Sequence, residues 1–402
     1  MLSLDDVAGL QDFLREEAAR LADDPEFAVH GGEDAQRFMS DHDGMPAVRA
    51  AVANASLETD PWQGLRSPAA VGLHPVSFRD IWDFYAANTI RNVRRDGSPN
   101  YLAMPETYEE ARERFGRAVI VSALLPISPR VLAEYADALA EGDVVDCARY
   151  SRASSDAGQI IAKAIARLSL ALLGEGRAVI SMDPGTAGKV VDFTKASSET
   201  GKYHGPCNNP FPQNSVAVLT GLMQFGISRI PLRDELGPDG EVRRMMGQYS
   251  SLVVFDEAPP VVDSSGGVVL IDDSWLASRR KLVDYTVVDD DAVAARYCAY
   301  NRTDDDGRSV CGQCIKACPA GAIANSSPMP DGTYPERLAR QKHRFHGGFL
   351  DFDFGNCASH RAQRQTLYSE YACARCVAVC AAQGLSNLGE RSPKLCTVAD
   401  AG

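Results

Sequence analysis

Two cysteine motifs near the C-terminal end constrain this chain more than any other feature of its sequence. The segment CGQCIKACPAGAI, residues 311 to 323, has the spacing C-x2-C-x3-C-P, and CARCVAVC, residues 373 to 380, has the spacing C-x2-C-x3-C. Cysteines at such spacings are typical of metal sites in proteins that are not exported, whereas disulfide frameworks are typical of small secreted chains. Eight of the eleven cysteines fall between Cys298 and Cys380, so this part of the chain is predicted to bind metal.

Composition and charge indicate a globular protein of more than one packed unit. The chain has 402 residues, of which 45% are hydrophobic and 24% are charged, as in typical globular proteins. A formal net charge of -13 disfavours a nucleic-acid-binding or anionic-membrane-binding protein. No apolar run approaches the length of a membrane span. The N-terminal segment is amphipathic, with Val7, Leu10, Leu14 and Leu21 on one face, and lacks the features of a signal peptide. A cytoplasmic location is therefore expected.

The order of predicted elements divides the chain into three regions. Residues 1 to 110 are expected to be an N-terminal region of short helices and irregular segments. Residues 111 to 290 alternate between predicted helices and strands, which is typical of an α/β sandwich. Residues 291 to 402 contain the cysteine motifs and little apolar sequence, so bound clusters are expected to provide the internal support of this region.

The central region contains several well-defined elements. ETYEEARERFG begins with a capping box and ends in glycine, which predicts a short helix. Apolar periodicity predicts the other elements. They are a buried strand at 118 to 127, a helix at 156 to 174 followed by a strand in RAVISMD, a buried helix at 215 to 227 ending near Gly226, and a strand at 249 to 261.

The spacing of the cysteines distinguishes iron–sulfur clusters from zinc. Bacterial ferredoxins use C-x2-C-x2-C-x3-C-P, in which the fourth cysteine of one motif ligates the other cluster. Cys311, Cys314 and Cys318 match its last three positions, while Arg308 stands at the first. Paired C-x2-C is also a zinc-ribbon spacing, but zinc does not explain a third cysteine at the same offset in both motifs. We therefore predict two [4Fe-4S] clusters, with zinc as the alternative.

The crosswise rule assigns ligands to the two clusters. The first cluster is predicted to be held by Cys298, Cys311, Cys314 and Cys380. The second cluster is predicted to be held by Cys318, Cys357, Cys373 and Cys376. Cys298 and Cys357 lie outside the motifs and complete the two sets of four. For the first cluster, Cys396 in place of Cys298 and a three-iron cluster remain the alternatives.

The chain resembles a known family in its cysteine motifs and in its central segments. Two motifs with a lone cysteine between them, preceded by RAVIVSALLPI and SSDAGQIIAKAIARLSLALLGEGRAVI, are similar to the cobalamin-dependent reductive dehalogenases and their relative epoxyqueuosine reductase. SVAVLTGLMQFGISRI loosely matches the helix and glycine loop of that family. The resemblance covers roughly residues 115 to 385. It departs from the family at the missing first cysteine and at GLMQFGISR, which keeps only part of the glycine pattern.

The resemblance implies a fold and an activity. The fold would be a nitroreductase-like α/β sandwich of the corrinoid-binding type, followed by a bacterial ferredoxin-like domain with two [4Fe-4S] clusters. The activity would be a corrinoid-dependent reductive cleavage of a carbon–heteroatom bond in a small-molecule substrate, by dehalogenation or by epoxide or hydroxyl reduction. Electrons would come from an external ferredoxin or flavodoxin, and the cobalamin would be bound base-off. The alternatives are a corrinoid-free iron–sulfur or flavin reductase of the same architecture and an electron-transfer partner protein.

Candidate catalytic and corrinoid-binding residues follow from the same resemblance. In the loop TGKYHGPCNNPFPQNS, Tyr203 is the candidate proton donor, and Lys202 or His204 would orient it or favour loss of its proton. Asn208 of this loop, Arg243 and Tyr249 are the candidate cofactor-binding residues. The alternatives are a packed loop aromatic for Tyr203, a solvated charge for Arg243 and a simple strand residue for Tyr249.

Overall fold

The computed structural model describes parts of the N-terminal and central regions and short segments of the C-terminal region that include four of its cysteines. The described residues are 2–24, 47–58, 65–69, 72–76, 108–127, 131–132, 134–135, 137–138, 144–181, 216–217, 220–225, 231–236, 242–262, 267–272, 305, 313–319, 321, 323, 360 and 375–382. Their helices are α1 (Val7–Ala22), α2 (Tyr108–Arg114), α3 (Val144–Gly174), α4 (Gln313–Ala317) and α5 (Arg375–Ala382). Their strands are β1 (Arg49–Ser56), β2 (Leu65–Ala69), β3 (Gly72–Val76), β4 (Arg117–Pro126), β5 (Ala178–Ser181), β6 (Gln224–Phe225), β7 (Pro231–Leu236), β8 (Val242–Met245), β9 (Gly247–Asp256) and β10 (Val268–Leu270).

A mixed five-stranded sheet forms the centre of the described structure. The strand order is β10-β1-β4-β9-β5. The β1–β10 pair is parallel, and the other neighbours are antiparallel. All ten residues of the central strand β4 are buried, so both faces of the strand are covered. β1 and β9 flank it within the sheet. The strand predicted from the unbroken apolar run at 118 to 127 is therefore confirmed.

Helix α3 packs on one face of this sheet and contacts β4, β5 and β9. The predicted apolar face is confirmed, since each of its members is at most 1% exposed: Ile160, Ile161, Ala164, Ile165, Leu168 and Leu172. Each of the Ile and Leu side chains in this set contributes about 1.5–3 kcal/mol on burial. The helix ends at Gly174 as predicted but begins at Val144, earlier than the predicted start at residue 156. Within the described residues no helix, including this one of 31 residues, has the length and apolarity to cross a membrane.

The N-terminal region contributes regular structure that its sequence did not predict. Helix α1 packs against α3 and β1 and buries Leu10, Leu14 and Leu21, as its amphipathic pattern predicted. Strand β1 was not predicted, yet it pairs with β4 along its full length. Its sequence, RAAVANAS, contains mostly residues of low strand propensity. Pairing with two neighbouring strands, rather than local propensity, therefore explains its formation.

A buried ion cluster connects the N-terminal segment to the sheet. The Arg117 side chain is 3% exposed. Its Nη1 and Nη2 donate to the two Asp5 carboxylate oxygens at 2.8 and 3.0 Å, and its Nη2 also donates to Asp256 Oδ2 at 2.8 Å. Nearby, the Leu2 amide donates to Glu175 Oε1 at 2.9 Å. These contacts hold the segment before α1 against the end of β9.

The segment 215 to 227 is not the single helix that the sequence predicted. Residues 216 and 217 are helical, and the Thr220 amide donates to the Val216 carbonyl at 2.9 Å. Gly221 follows with a φ of 74°, a left-handed conformation that ends helices and that glycine adopts without strain. The chain then enters β6, which pairs with β7. The predicted end near Gly226 is therefore wrong, because Gly221 ends the helical turn first.

Two smaller sheets accompany the central one. β2 and β3 form an antiparallel pair, and β6, β7 and β8 form a three-stranded antiparallel sheet. The predicted strand at 249 to 261 is present as β9, but it ends at Asp256, before Pro259. The short helix predicted in ETYEEARERFG and the strand predicted in RAVISMD are confirmed as α2 and β5. β8 passes through a single residue, Met246, into β9, so the small sheet and the central sheet are directly joined.

Candidate metal centre

Four of the eight predicted cluster ligands lie within the described residues. They are Cys314, Cys318, Cys376 and Cys380. The other four, Cys298, Cys311, Cys357 and Cys373, lie outside the described residues. Cys314 is buried, the other three described cysteines are half-buried, and none of these four is joined to another by a disulfide.

The first cysteine motif forms a short helical turn with a sharp end. The Cys318 amide donates to the Ile315 carbonyl at 3.3 Å as the turn closes. Pro319 follows, and the residue before a proline is disfavoured in the helical conformation. The Gly321 amide then donates to the Cys318 carbonyl at 3.1 Å, with Gly321 at a φ of 53°. The chain thus turns away just after the last thiol, leaving Cys314 and Cys318 about one helical turn apart.

The second motif forms helix α5, which presents two thiols on one face. Cys376 and Cys380 are four residues apart, and side chains at this spacing lie one above the other on an α-helix. Between them, Ala378 is 0% exposed and Val379 is 6% exposed. Ala378 and Val379 therefore pack into the protein, while the two thiols lie at the boundary between the buried and exposed sides.

The two motif helices pack against each other, although a long stretch of chain separates them. They share a small apolar cluster whose buried members are Cys314, Ile323 and Val379. Cys318 of the first motif and Cys376 of the second pack against this same cluster. The fold thus brings thiols from both motifs to one place.

The two motif helices contain basic side chains and no carboxylates. Neither α4 nor α5 contains an Asp or Glu residue, and the charged side chains of these helices are Lys316 and Arg375. Thiolate ligands bring negative charge, and net charge is one of the factors that set the potential of an iron–sulfur cluster. Cationic residues without nearby helix carboxylates therefore suit an anionic cluster at this position.

The described thiols fit an iron–sulfur donor set. The crosswise assignment gives each predicted cluster two described ligands, Cys314 with Cys380 and Cys318 with Cys376. Among the described residues, no three His, Cys, Asp or Glu side chains are close enough to hold a metal ion. With two described ligands for each cluster, the assignment predicts no such group. The donors are all sulfur, partly shielded from solvent and carried on packed helices, which suits iron–sulfur ligation; the zinc alternative would use the same thiols.

Helix α5 also attaches the cysteine region to the rest of the protein. Ala378 belongs to the main buried apolar cluster, and Cys376 and Cys380 pack against that cluster. α5 contacts β8 as well, and Met246, the residue after β8, belongs to the same main cluster. The second motif therefore lies between the first motif and the protein core.

The chain is held tightly where β8 passes into β9. The Met246 carbonyl accepts a hydrogen bond from the Ile127 amide at 2.7 Å, and the Tyr150 hydroxyl donates to Met246 Sδ at 3.9 Å. A side chain at Gly247 would clash with the Leu125 carbonyl oxygen, so glycine is required there. We call Met246 and Gly247 the β8–β9 junction. The junction was not predicted from the sequence, in which its signal is a Met-Gly pair between two strand-forming runs.

Most of the predicted catalytic and corrinoid-binding residues lie outside the described residues. These are Tyr203, Lys202 and Asn208. Arg243 is in β8, opposite Glu235 of β7. Tyr249 is in β9 opposite Leu124, and it packs against an apolar cluster on the face of the sheet that lies opposite α3. The corrinoid-binding and catalytic assignments stay predictions.

Comparison with known proteins gives this chain no relatives. No protein-family model, no curated protein and no solved structure matches it. The case for a function therefore depends on the cysteine motifs themselves, on the packing of α4 against α5, and on the contact of α5 with the core.

Proposed function

We propose that this protein is an iron–sulfur reductase that cleaves a carbon–heteroatom bond with the help of a corrinoid. Electrons would come from a low-potential ferredoxin or flavodoxin. The observation that supports the proposal best is the packing of the two cysteine motifs against each other and, through α5, against the core. An electron relay requires this arrangement, because the clusters must lie between an external donor and the site of reduction.

The protein side of the relay consists of thiol ligands and the apolar side chains around them. When bound, the [4Fe-4S] clusters supply one-electron transfer and the corrinoid supplies the bond-cleaving chemistry. The cysteines of both motifs would hold the metal, and Ile323, Ala378 and Val379, which are 2%, 0% and 6% exposed, would limit the access of water to the thiols beside them. Burial and hydrogen bonding around the sulfur atoms tune cluster potentials, so these apolar residues influence the driving force.

The roles proposed for residues that contact the substrate and the corrinoid come from the sequence resemblance. In this proposal the Tyr203 hydroxyl donates a proton to the substrate, and Lys202 orients that hydroxyl. Asn208 and Arg243 contact polar groups of the corrinoid. A reductase with the same clusters but no corrinoid is the alternative, and metal counting separates the two.

The proposal is tested by anaerobic purification with cobalamin supplied, followed by counts of iron, sulfide, zinc and cobalt for each chain. Two [4Fe-4S] clusters predict about eight iron atoms and about eight sulfides, together with about one cobalt and a base-off corrinoid spectrum. Eight irons without cobalt would refute the corrinoid part and leave the corrinoid-free reductase and the electron-transfer partner protein as the alternatives. Zinc in place of iron would refute the whole proposal.

Paired cysteine substitutions test the ligand assignment. The variant Cys314→Ser with Cys380→Ser removes two ligands of one predicted cluster, so about half of the iron should remain. The variant Cys314→Ser with Cys376→Ser removes one ligand from each, so both clusters should be affected. Cys147→Ser is the matched control, because Cys147 lies outside both motifs, and its iron content should equal that of the wild type. Equal iron loss in the two paired variants would contradict the crosswise assignment.

A further inference from the structure

We propose that Tyr150 and Met246 form a positioning pair that holds the β8–β9 junction in place. Through β8, the pair also fixes the position of helix α5, which carries Cys376 and Cys380. The proposal deepens the iron–sulfur function in one respect: it predicts which residues outside the motifs control the cluster ligands. Its geometry does not depend on the presence of metal. Failure of the pair would therefore appear in the amide exchange of α5, whereas failure of the proposed function would appear in the iron content.

The pair lies in the core, on the same side of the sheet as α3. Tyr150 is 2% exposed and Met246 is 6% exposed. Tyr150 stacks on Tyr135, with ring centroids 4.3 Å apart and ring planes inclined by 24°, and this contact fixes the orientation of the Tyr150 ring. With the ring fixed, the hydroxyl points at a defined position, which Met246 Sδ occupies at 3.9 Å.

The contact gives a flexible side chain a defined conformation. Methionine has three rotatable side-chain bonds and fills space without specifying a single rotamer. Sulfur is a weak acceptor, and the O–H···S contact at 3.9 Å favours the conformation of Met246 that places Sδ at the Tyr150 hydroxyl. On the other side, the Met246 carbonyl is held by the Ile127 amide, and the backbone at Gly247 lies so close to the Leu125 carbonyl that a side chain would not fit there.

The junction is connected to the thiols through β8. β8 ends at the residue before Met246 and contacts α5. Ala378 of α5 belongs to the same buried cluster as Met246, and Cys376 and Cys380 pack against that cluster. In the crosswise assignment these two thiols belong to different clusters. A shift of the junction would thus reach both predicted clusters through a single helix.

Amide hydrogen exchange of α5 in the full-length protein as purified anaerobically, whatever metal it contains, tests the geometry by itself. In Tyr150→Phe and in Met246→Leu, amides of residues 375 to 382 should exchange about fivefold faster than in the wild type, from the loss of one hydrogen bond. The double variant should show no further increase, because both changes remove the same contact. Tyr108→Phe is the matched control, since it removes a buried tyrosine hydroxyl that donates to the Leu57 carbonyl instead; exchange of α5 should not change.

The midpoint potential of the metal-loaded protein is the second measurement. Tyr150→Phe and Met246→Leu should shift the cluster potential in the same direction, whereas Tyr108→Phe should leave it unchanged. Unchanged exchange of α5 in both junction variants would refute the positioning pair, whatever the metal content. Faster exchange in a protein that binds no iron after anaerobic reconstitution would support the pair and refute the iron–sulfur function.

Discussion

Replacing Arg117 by methionine should destabilise the fold strongly at neutral pH. The guanidinium of Arg117 is 3% exposed and joins Asp5 to Asp256. Methionine keeps most of the length and apolar volume of the side chain but removes the charge and all four hydrogen bonds that Arg117 donates to the two carboxylates. Two carboxylates would then face each other without the cation between them.

The magnitude follows from the burial of the three groups. Removing one partner of a buried ion pair costs about 3–5 kcal/mol. Asp256 is only 21% exposed and would remain largely desolvated, whereas Asp5 is 44% exposed and water would solvate it in the variant. The lower end of the range applies, so the free energy of unfolding should fall by about 3 kcal/mol.

The loss should also depend on pH. Burial alone would raise the pKa of Asp256, but the hydrogen bonds from Arg117 and from the Ala258 amide outweigh it and lower the pKa below the ordinary value. A carboxylate with a lowered folded pKa stabilises the protein above its ordinary value of about 3.9, and this stabilisation is lost as the pH falls through the folded pKa. The difference between wild type and Arg117→Met should therefore be largest near neutral pH and shrink in acid.

Urea unfolding at about pH 7 and about pH 3 measures both effects. Two spectroscopic probes should give coincident transitions before a free energy is assigned. Arg15→Met is the matched control, because Arg15 pairs with Asp12 at the surface, with side chains 41% and 57% exposed, and such pairs contribute at most about 1 kcal/mol. A loss in Arg117→Met no larger than that in Arg15→Met, or a loss that stays constant into acid, would refute the reasoning.

Two further predictions concern packing and backbone conformation. Leu168→Ala should lower the free energy of unfolding by about 3 kcal/mol, because this side chain is 0% exposed and its removal leaves a cavity; Val262→Ala, at a side chain 86% exposed, should change it little in the same urea titration. Gly221→Ala should cost about 1 kcal/mol because of its φ of 74°, whereas Gly174→Ala, with open space around it, should cause no loss. Equal losses within either pair would contradict the corresponding structural reason.

Elements that carry their own pattern could be predicted from the sequence. The apolar run of β4 forms a strand buried along its whole length, and the apolar face of α3 packs on the sheet as its period of 3.6 residues requires. The apolar face of α1 was predictable for the same reason. In each case the residues that decide the element are local, so the pattern is visible before any partner is known.

Elements that depend on distant partners could not be predicted. β1 exists because β4 and β10 pair with it, and its alanine-rich sequence alone does not favour a strand. The helical turn before Gly221 ends where the backbone turns toward β6, and the apolar composition of this segment does not reveal that change. The β8–β9 junction depends on Tyr150 and Ile127, which come from elsewhere in the chain.

The candidate metal centre likewise has features that the sequence predicts and features that depend on distant parts of the chain. By itself, the sequence determined the number, type and spacing of the thiols, because metal ligation depends on donor chemistry and on short-range offsets along the chain. Only the tertiary structure decided that α4 and α5 pack together, and that α5, through Ala378, Cys376 and Cys380, joins the cysteine region to the core. Packing of this kind depends on apolar surfaces that are far apart in the chain, and no local pattern encodes which of them will meet.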